Sequence, residues 1–447
     1  MKHLCLVGRT GTAQDRYLMR KLPGMRKRST TWFMATFVAA VPVMAQAAAV
    51  ASTRPFDDAP AGDSAAIQKL LDAAAPKGGT VDLGVGRFRL DRPIIVPEGV
   101  CLQGTWQGPH HAQLAKGTVF LVYADVGRED GPPLITLSPS STVKGITFFY
   151  PEQRIPGTKA YPWTIQGRGM HNSVIDCTFV NAYQAMDFAT HANELHYVRN
   201  CFGCPLKVGI RVDRCTDIGR IENVHFNPHY WARAEAPGVP QWPDLSRYLW
   251  ENLIAFDFAR TDWEYVLNTF CYGAKIGYLF RQTRHGTVNG NFLGIGADWC
   301  ERAVVVEASQ PPGLLITNGE FVGGEGSVVM MDVTASHAGV VQLSNCAFWG
   351  PCPTAVRVDG KGSVSLSQCN FLNHGKPRQQ GDNVTVEANG GHLNISNSRF
   401  GVDKPDIVLG RQVRTAILSG NWFLKSKEII NHAGDVVQES LSAVGAL

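Results

Sequence analysis

Charge is scarce in this sequence: only 18% of its 447 residues are Asp, Glu, Lys or Arg. The basic residues are also unevenly placed. Lys2, Arg9, Arg16, Arg20, Lys21, Arg26, Lys27 and Arg28 lie in the first 47 residues against one acid, Asp15, so the net charge of +4 becomes −3 without that segment. A mildly acidic chain with no basic run beyond its start is a poor nucleic-acid binder. Long apolar runs are missing too, and the stretch from Trp32 to Met44 is too short for a membrane span. Cys201-x-x-Cys204 has no second pair at ligand spacing, which argues against a structural zinc site.

The short apolar run has a different use. Met25-Arg26-Lys27-Arg28, the run itself and Ala45-Gln46-Ala47 make a basic n-region, an h-region and an A-x-A site. This is the pattern of a secretory signal peptide beginning at Met25, so residues 1–47 are expected to be a leader and the protein to be secreted or periplasmic. Of eleven cysteines, ten remain once Cys5 is lost with that leader. Export permits disulfides. However, Cys177, Cys346 and Cys369 each stand two residues before a recurring aromatic, which reads as small buried hydrophobes, so mostly free thiols are expected.

That aromatic is the main signal present. Polar runs closed by an aromatic end at Phe179, Phe202, Phe226, Phe270, Phe292, Phe321, Phe348, Phe371, Phe400 and Trp422, in steps of 23, 24, 44, 22, 29, 27, 23, 29 and 22 residues. A repeat of this length, carried by short strands and Gly/Asn turns, marks a solenoid whose coils bury their faces on one another. The Phe residues are expected to stack inside. Asn223, Asn289, Asn318, Asn345 and Asn397, each three before an aromatic, are expected to form a turn ladder. Residues 48–62 read as a linker, and Asp63 opens a helical stripe over Ala65, Ile67, Leu70, Leu71 and Ala74 that would cap the first coil.

The stretch from Asp63-Ser-Ala-Ala-Ile-Gln68 through Gly78-Gly79-Thr80-Val81 and Gly86-Arg87-Phe88 to Ile95-Val-Pro-Glu-Gly-Val-Cys-Leu-Gln-Gly104 resembles the N-terminal segment of pectate-lyase-superfamily proteins. The resemblance implies an all-β fold, a right-handed parallel β-helix with an N-terminal capping helix: the cap and first strands over residues 63–104, the solenoid over 105–425 and a tail over 426–447. It implies little about chemistry, because this scaffold carries hydrolases, lyases, epimerases and adhesins. The motifs of the related polygalacturonases, Asn-Thr-Asp, paired Asp-Asp, Gly-His-Gly and Arg-Ile-Lys, are missing from the coils. Arg284-His285-Gly286 resembles part of the alginate-lyase pattern, but Asn318-Gly319-Glu320 follows it where it should precede.

Function is expected at the double-length step. Residues 227–251 bring together Tyr230, Trp231, Arg233, Trp242, Asp244 and Trp250, a composition suited to stacking on sugar rings and bonding their hydroxyls. Comparing the strands that follow each aromatic places Asp187, Arg211, Asp257 and Tyr278 on one outer face. Asp187 and Asp257, two coils apart, would be separated by roughly 9–10 Å, near the range for an inverting glycosidase. Asp257 is the expected acid. The turns carrying Lys275, Asp298, Trp299, Glu301 and Glu325 occupy the place equivalent to the insertion and form a second cluster.

The expected function is hydrolysis of a poly- or oligosaccharide with two carboxylates, with no cofactor or metal. One alternative is a polysaccharide lyase, in which the acidic pair holds calcium and Arg211 or Tyr278 takes the proton. The others are a glycan-binding adhesin or spike, and an outward Asp-Arg-Asp ladder that only stabilises stacked strands. A homo-oligomer through the solenoid side is compatible with all of them.

Overall fold

The computed structural model describes residues 62–106, 113–372 and 384–445. The leader, the start at Met25 and nearly all of the 48–62 linker lie outside the described residues. No described helix is long and apolar enough to cross a membrane.

Each coil contributes one strand to each of three faces. Sheet I contains Gln184–Phe188, Val208–Val212, Ile254–Phe258, Ile276–Phe280 and Arg302–Val306. Sheet II contains Thr261–Leu267, Val288–Leu293, Leu314–Thr317 and Val340–Ser344. Sheet III contains Phe270–Tyr272, Gly296–Asp298, Glu320–Val322 and Ala347–Trp349. Every strand pairs in parallel with its copy in the adjacent coils, as in Phe321 with Phe348 and Val304 with Met331. The chain runs from sheet II through sharp asparagine corners to sheet III, then by longer turns to sheet I and back to II. This is a right-handed parallel β-helix.

The corners explain the recurrent asparagine. Asn200, Asn223, Asn268, Asn318, Asn345 and Asn397 all have positive φ between 50° and 57°, a left-handed geometry that their short polar side chains tolerate. The Asn345 amide donates to Asn318 Oδ1 at 2.8 Å, and that of Asn223 donates to Asn200 Oδ1 at the same distance. Asn289 is not one of these corners. It accepts from the Trp263 backbone N–H and donates to Gln310, and Gly294, at φ 65°, takes the corner of its coil.

Inside sheet III the rings of Phe321, Phe348, Phe371, Phe400 and Phe423 stack with centroids 5.2, 5.1, 4.9 and 5.1 Å apart, close to the roughly 4.8 Å between strands. Three expected members differ. Phe202 and Phe270 belong to the outward row of sheet III, because the register pairs Phe202 with His225 and His225 with Phe270. Phe292 is fully buried but in sheet II, paired with Val266 and Ile316. At the C-terminal end Phe423, not Trp422, pairs with Phe400. The ten described cysteines are free, and all but Cys101 are buried.

Helix α1 (Asp63–Ala74) closes the first coil. Ile67 and Leu71 are buried beneath it, while its polar side chains satisfy the open strand edge. Gln68 accepts from the Ile95 N–H and donates to the Ile95 carbonyl at 2.7 and 3.1 Å, while Asp63 accepts from the Arg89 N–H at 2.7 Å. At the other end, Ile429–Asn431, Val437–Ser440 and Ala443–Val444 add strands to the three sheets, so a coil stands where a tail was expected.

Candidate active site

Alternation within sheet I sends Met186, Ile210, Phe256 and Tyr278 inward and the residues after them outward. Asp187 pairs with Arg211 and Arg211 with Asp257, as the strand comparison expected. Tyr278 departs from that expectation, because the register sets Leu279 beside Asp257. The Tyr278 ring stacks on Phe256 at 4.7 Å, its hydroxyl pairs with Thr269 at 2.8 Å, and burial holds its pKa far above the ordinary value. It therefore has no route to a substrate proton.

The two aspartates are saturated. Asp187, 0% exposed, accepts from Gln166 at 2.8 Å and from the N–H groups of Ala189 and Thr190 at 2.9 and 3.1 Å. Asp257, 1% exposed, accepts from Arg211 Nε at 2.9 Å and from Arg281 Nε and an Arg281 terminal nitrogen at 2.6 and 2.9 Å. Arg281 was missed because it lies just past its strand. Calcium does not fit here: a guanidinium already stands between the carboxylates, and a cation would have to displace it.

The insertion folds as α2 (His229–Ala232) and α3 (Trp242–Asn252), and its contacts run over the outer face of sheet III and the adjoining turns, not over Asp257. Tyr230 packs 6.1 Å from Phe202 and 5.8 Å from His225, both in the outward row. Tyr230 is buried and Trp231 is 0% exposed, so these two residues anchor the insertion and do not face a substrate. Arg233 is exposed, and Asp244 is spent on a weak surface pair with Arg247 at 3.9 Å. Trp242 and Trp250 remain partly exposed. Trp242 stacks on His229 at 4.4 Å and lies 6.3 Å from Tyr272. Tyr272 and Trp250 stand 5.6 and 5.7 Å from Trp299.

These rings border a second carboxylate pair. Cys271, Ala297, Phe321 and Phe348 form the inner row of sheet III, so Tyr272, Asp298, Val322 and Trp349 line up outside it on one flank and Phe270, Gly296, Glu320 and Ala347 on the other. Asp298 and Glu320 occupy adjacent coils two residues out of step. With about 4.8 Å between strands and about 3.3 Å per residue, their Cα atoms are about 8 Å apart. Asp298 is half-buried, and its pKa is raised first by that burial and then by the charge of Glu320. Glu320 is exposed, and its Oε1 accepts from the Trp349 indole at 2.8 Å.

Trp299, in a left-handed conformation at φ 50°, donates its indole N–H to the Glu325 carbonyl at 3.1 Å. Its ring lies flat on Gly324, where a Cβ would come within 1.4 Å of it, so only glycine allows that approach. Lys275 and Glu325 are exposed on the same turns, and Glu301 is half-buried beside them. The expected second cluster is thus brought together with Trp242 and Trp250 of the insertion. Glu320, Tyr272 and Trp349 complete it. Strand alternation could have found them, by setting Glu320-Phe321-Val322 against Gly296-Ala297-Asp298.

Among the described residues one group has metal-ligand types close together: His196, Cys215 and Glu264, all buried. It does not fit an ion. Glu264 faces His196 Nε2 at 3.0 Å, while Cys215 lies 3.8 Å from Nδ1 on the opposite ring edge, where Asn193 Oδ1 also sits at 3.0 Å. No single ring nitrogen serves both partners.

No family model and no curated protein matches the sequence. Solved structures do resemble it. A DFA-IIIase from Arthrobacter chlorophenolicus A6, solved without its lid, is 10% identical with a TM-score of 0.47, over 88% of this chain and 98% of that one. A mannuronan C-5 epimerase A-module from Azotobacter vinelandii is 15% identical with a TM-score of 0.38, over 88% and 97%. A surface adhesin of Streptococcus pneumoniae is 13% identical with a TM-score of 0.40, over 86% and 92%. At such distances the likeness describes the scaffold only.

Proposed function

We propose that this protein is an exported carbohydrate-active enzyme that hydrolyses a glycosidic bond on the outer face of sheet III, with Asp298 as general acid and Glu320 as general base. The observation that carries the reading is Asp298 itself: a half-buried carboxyl, raised in pKa by burial and by Glu320, inside a border of aromatic rings. A general acid needs its pKa raised, and burial beside a like charge shifts Asp298 in that direction. The Cα spacing of about 8 Å lets the two carboxyl groups stand far enough apart for a water to enter, as inversion requires. Trp242, Tyr272, Trp299 and Trp250 offer flat apolar faces to sugar C–H groups. The sheet I pair supports this role less well, because every oxygen of Asp187 and Asp257 accepts from an internal donor.

The test is a polysaccharide panel read for new reducing ends and for the ultraviolet absorbance of unsaturated uronates. Reducing ends without absorbance are expected. On the substrate so found, Asp298→Asn and Glu320→Gln should each lower turnover at least about a hundredfold with unchanged melting temperature. Wild-type activity should fall as pH rises through the raised pKa of Asp298. Near-normal turnover in both variants, or absorbance accompanying cleavage, would refute the assignment.

A further inference from the structure

The strand Thr261–Leu267 of sheet II does not pair evenly with the next coil. Thr261 lies opposite Val288 and Glu264 opposite Gly290, so three steps on one strand face two on the other. The extra length is a bulge at Asp262 and Trp263. Bulges redirect side chains, and this one turns Trp263 outward, 57% exposed and at φ 61°. A bulky aromatic in the left-handed region is strained, and strain of this kind persists where the surroundings impose it.

Here the surroundings do impose it. The Trp263 N–H donates to Asn289 Oδ1 at 3.1 Å, and the Asn289 amide donates to Gln310 Oε1 at 2.7 Å. The Gln310 amide in turn donates to Asp262 Oδ1 at 2.8 Å and to the Thr287 carbonyl at 2.7 Å. Asp262 is also paired with Arg260, so the site presents no uncompensated charge. Gly290 is required beneath the bulge, since a Cβ there would meet the Glu264 carbonyl at 2.3 Å. Gly290 and Gly313 leave a groove of about 400 Å³ beside the indole, walled by Pro312 and Leu315 and supplied with amides by Asn289 and Asn291.

We propose that this groove is a non-catalytic binding subsite for an uncharged oligosaccharide segment, with Trp263 as its stacking platform. A sugar ring offers an axial C–H face to an exposed indole and hydroxyls to neutral amides, and the groove holds both on a rigid bulge. Charge neutrality favours a neutral glycan over a polyuronate or a nucleic acid. The subsite lies on sheet II and stands independently of Asp298 and Glu320 on sheet III.

Affinity electrophoresis through native gels containing laminarin, dextran, β-glucan, xylan or alginate tests it. Wild type should be retarded by at least one neutral polymer and not by alginate. Trp263→Gly should lose at least tenfold in affinity for that polymer, yet melt at or above the wild-type temperature, because glycine relieves the left-handed backbone. A platform with a purely structural role would give the reverse, lower stability with retained binding. Asn291→Ala should weaken retardation and leave folding intact, while Asp298→Asn should be retarded like wild type even if the catalytic assignment fails. Absence of retardation by every neutral polymer, or equal retardation of Trp263→Gly, overturns the proposal.

Discussion

Glu264→Gln tests the least ordinary part of the interior, a charged pair where apolar stacking is the rule. His196 and Glu264 are both fully buried, and each imidazole nitrogen faces an oxygen at 3.0 Å, Glu264 Oε1 on one side and Asn193 Oδ1 on the other. Both nitrogens therefore act as donors, and the ring is an imidazolium. Burial works against that charge. The Glu264 carboxylate and the hydrogen bonds to Cys215 and Glu264 outweigh it and lift the His196 pKa from 6.5 to about 10. Thr261 secures the carboxylate from the other side at 2.6 Å, and the Phe188 ring stacks on the imidazole at 4.8 Å.

A folded-state pKa raised above the unfolded one stabilises the fold fully below the unfolded value, and that stability is lost as pH rises through the folded value. The window thus runs from 6.5 to about 10. Removing one partner of a buried pair costs on the order of 3–5 kcal/mol, and a shift of this size corresponds to a similar figure. Urea midpoints followed by tryptophan fluorescence across this window should show Glu264→Gln far below wild type near neutrality. The gap should narrow toward the alkaline end, as wild type itself loses the imidazolium. A variant within about 0.5 kcal/mol of wild type near neutrality, or a gap indifferent to pH, would refute the charged-pair reading.

Two further outcomes separate scaffold from chemistry. Phe348→Ala, in the middle of the inner stack, should cost about 3–5 kcal/mol in thermal or urea unfolding, whereas Phe270→Ala, in the outward row, should cost clearly less; equal costs would contradict the register. Asp257→Asn leaves Arg211 and Arg281 sharing no carboxylate and should destabilise by about 3–5 kcal/mol. If it instead abolished turnover while the melting temperature held, the catalytic centre would belong on sheet I.

The coil length, the asparagine corners and the capping helix could be read from the sequence because each rests on a local rule: a period, a tolerated φ, an amphipathic stripe. Which face a residue takes rests on register, and register moves by single residues. Phe226 points inward, and its partner one coil on is Cys271, so the aromatic at Phe270 falls outside although it closes a polar run like the others. The same slip misplaced Tyr278. Ile276-Gly-Tyr-Leu-Phe280 matches Ile254-Ala-Phe-Asp-Phe258 position for position, which sets Leu279, not Tyr278, beside Asp257. The stack of Asp187, Arg211 and Asp257 was read correctly because those three strands share that pattern without a shift. Its chemistry was not readable, because the residue that completes the ion cluster, Arg281, lies outside the repeating unit. The same limit explains the aromatic insertion. Its aromatic composition suits stacking on sugar rings, but composition does not separate a ring that anchors from a ring that faces solvent. Trp231 and Trp242 differ in that respect only because the outward row of sheet III offers Phe202 and His225 as a floor for α2 and leaves Tyr272 and Trp299 at the border of Asp298.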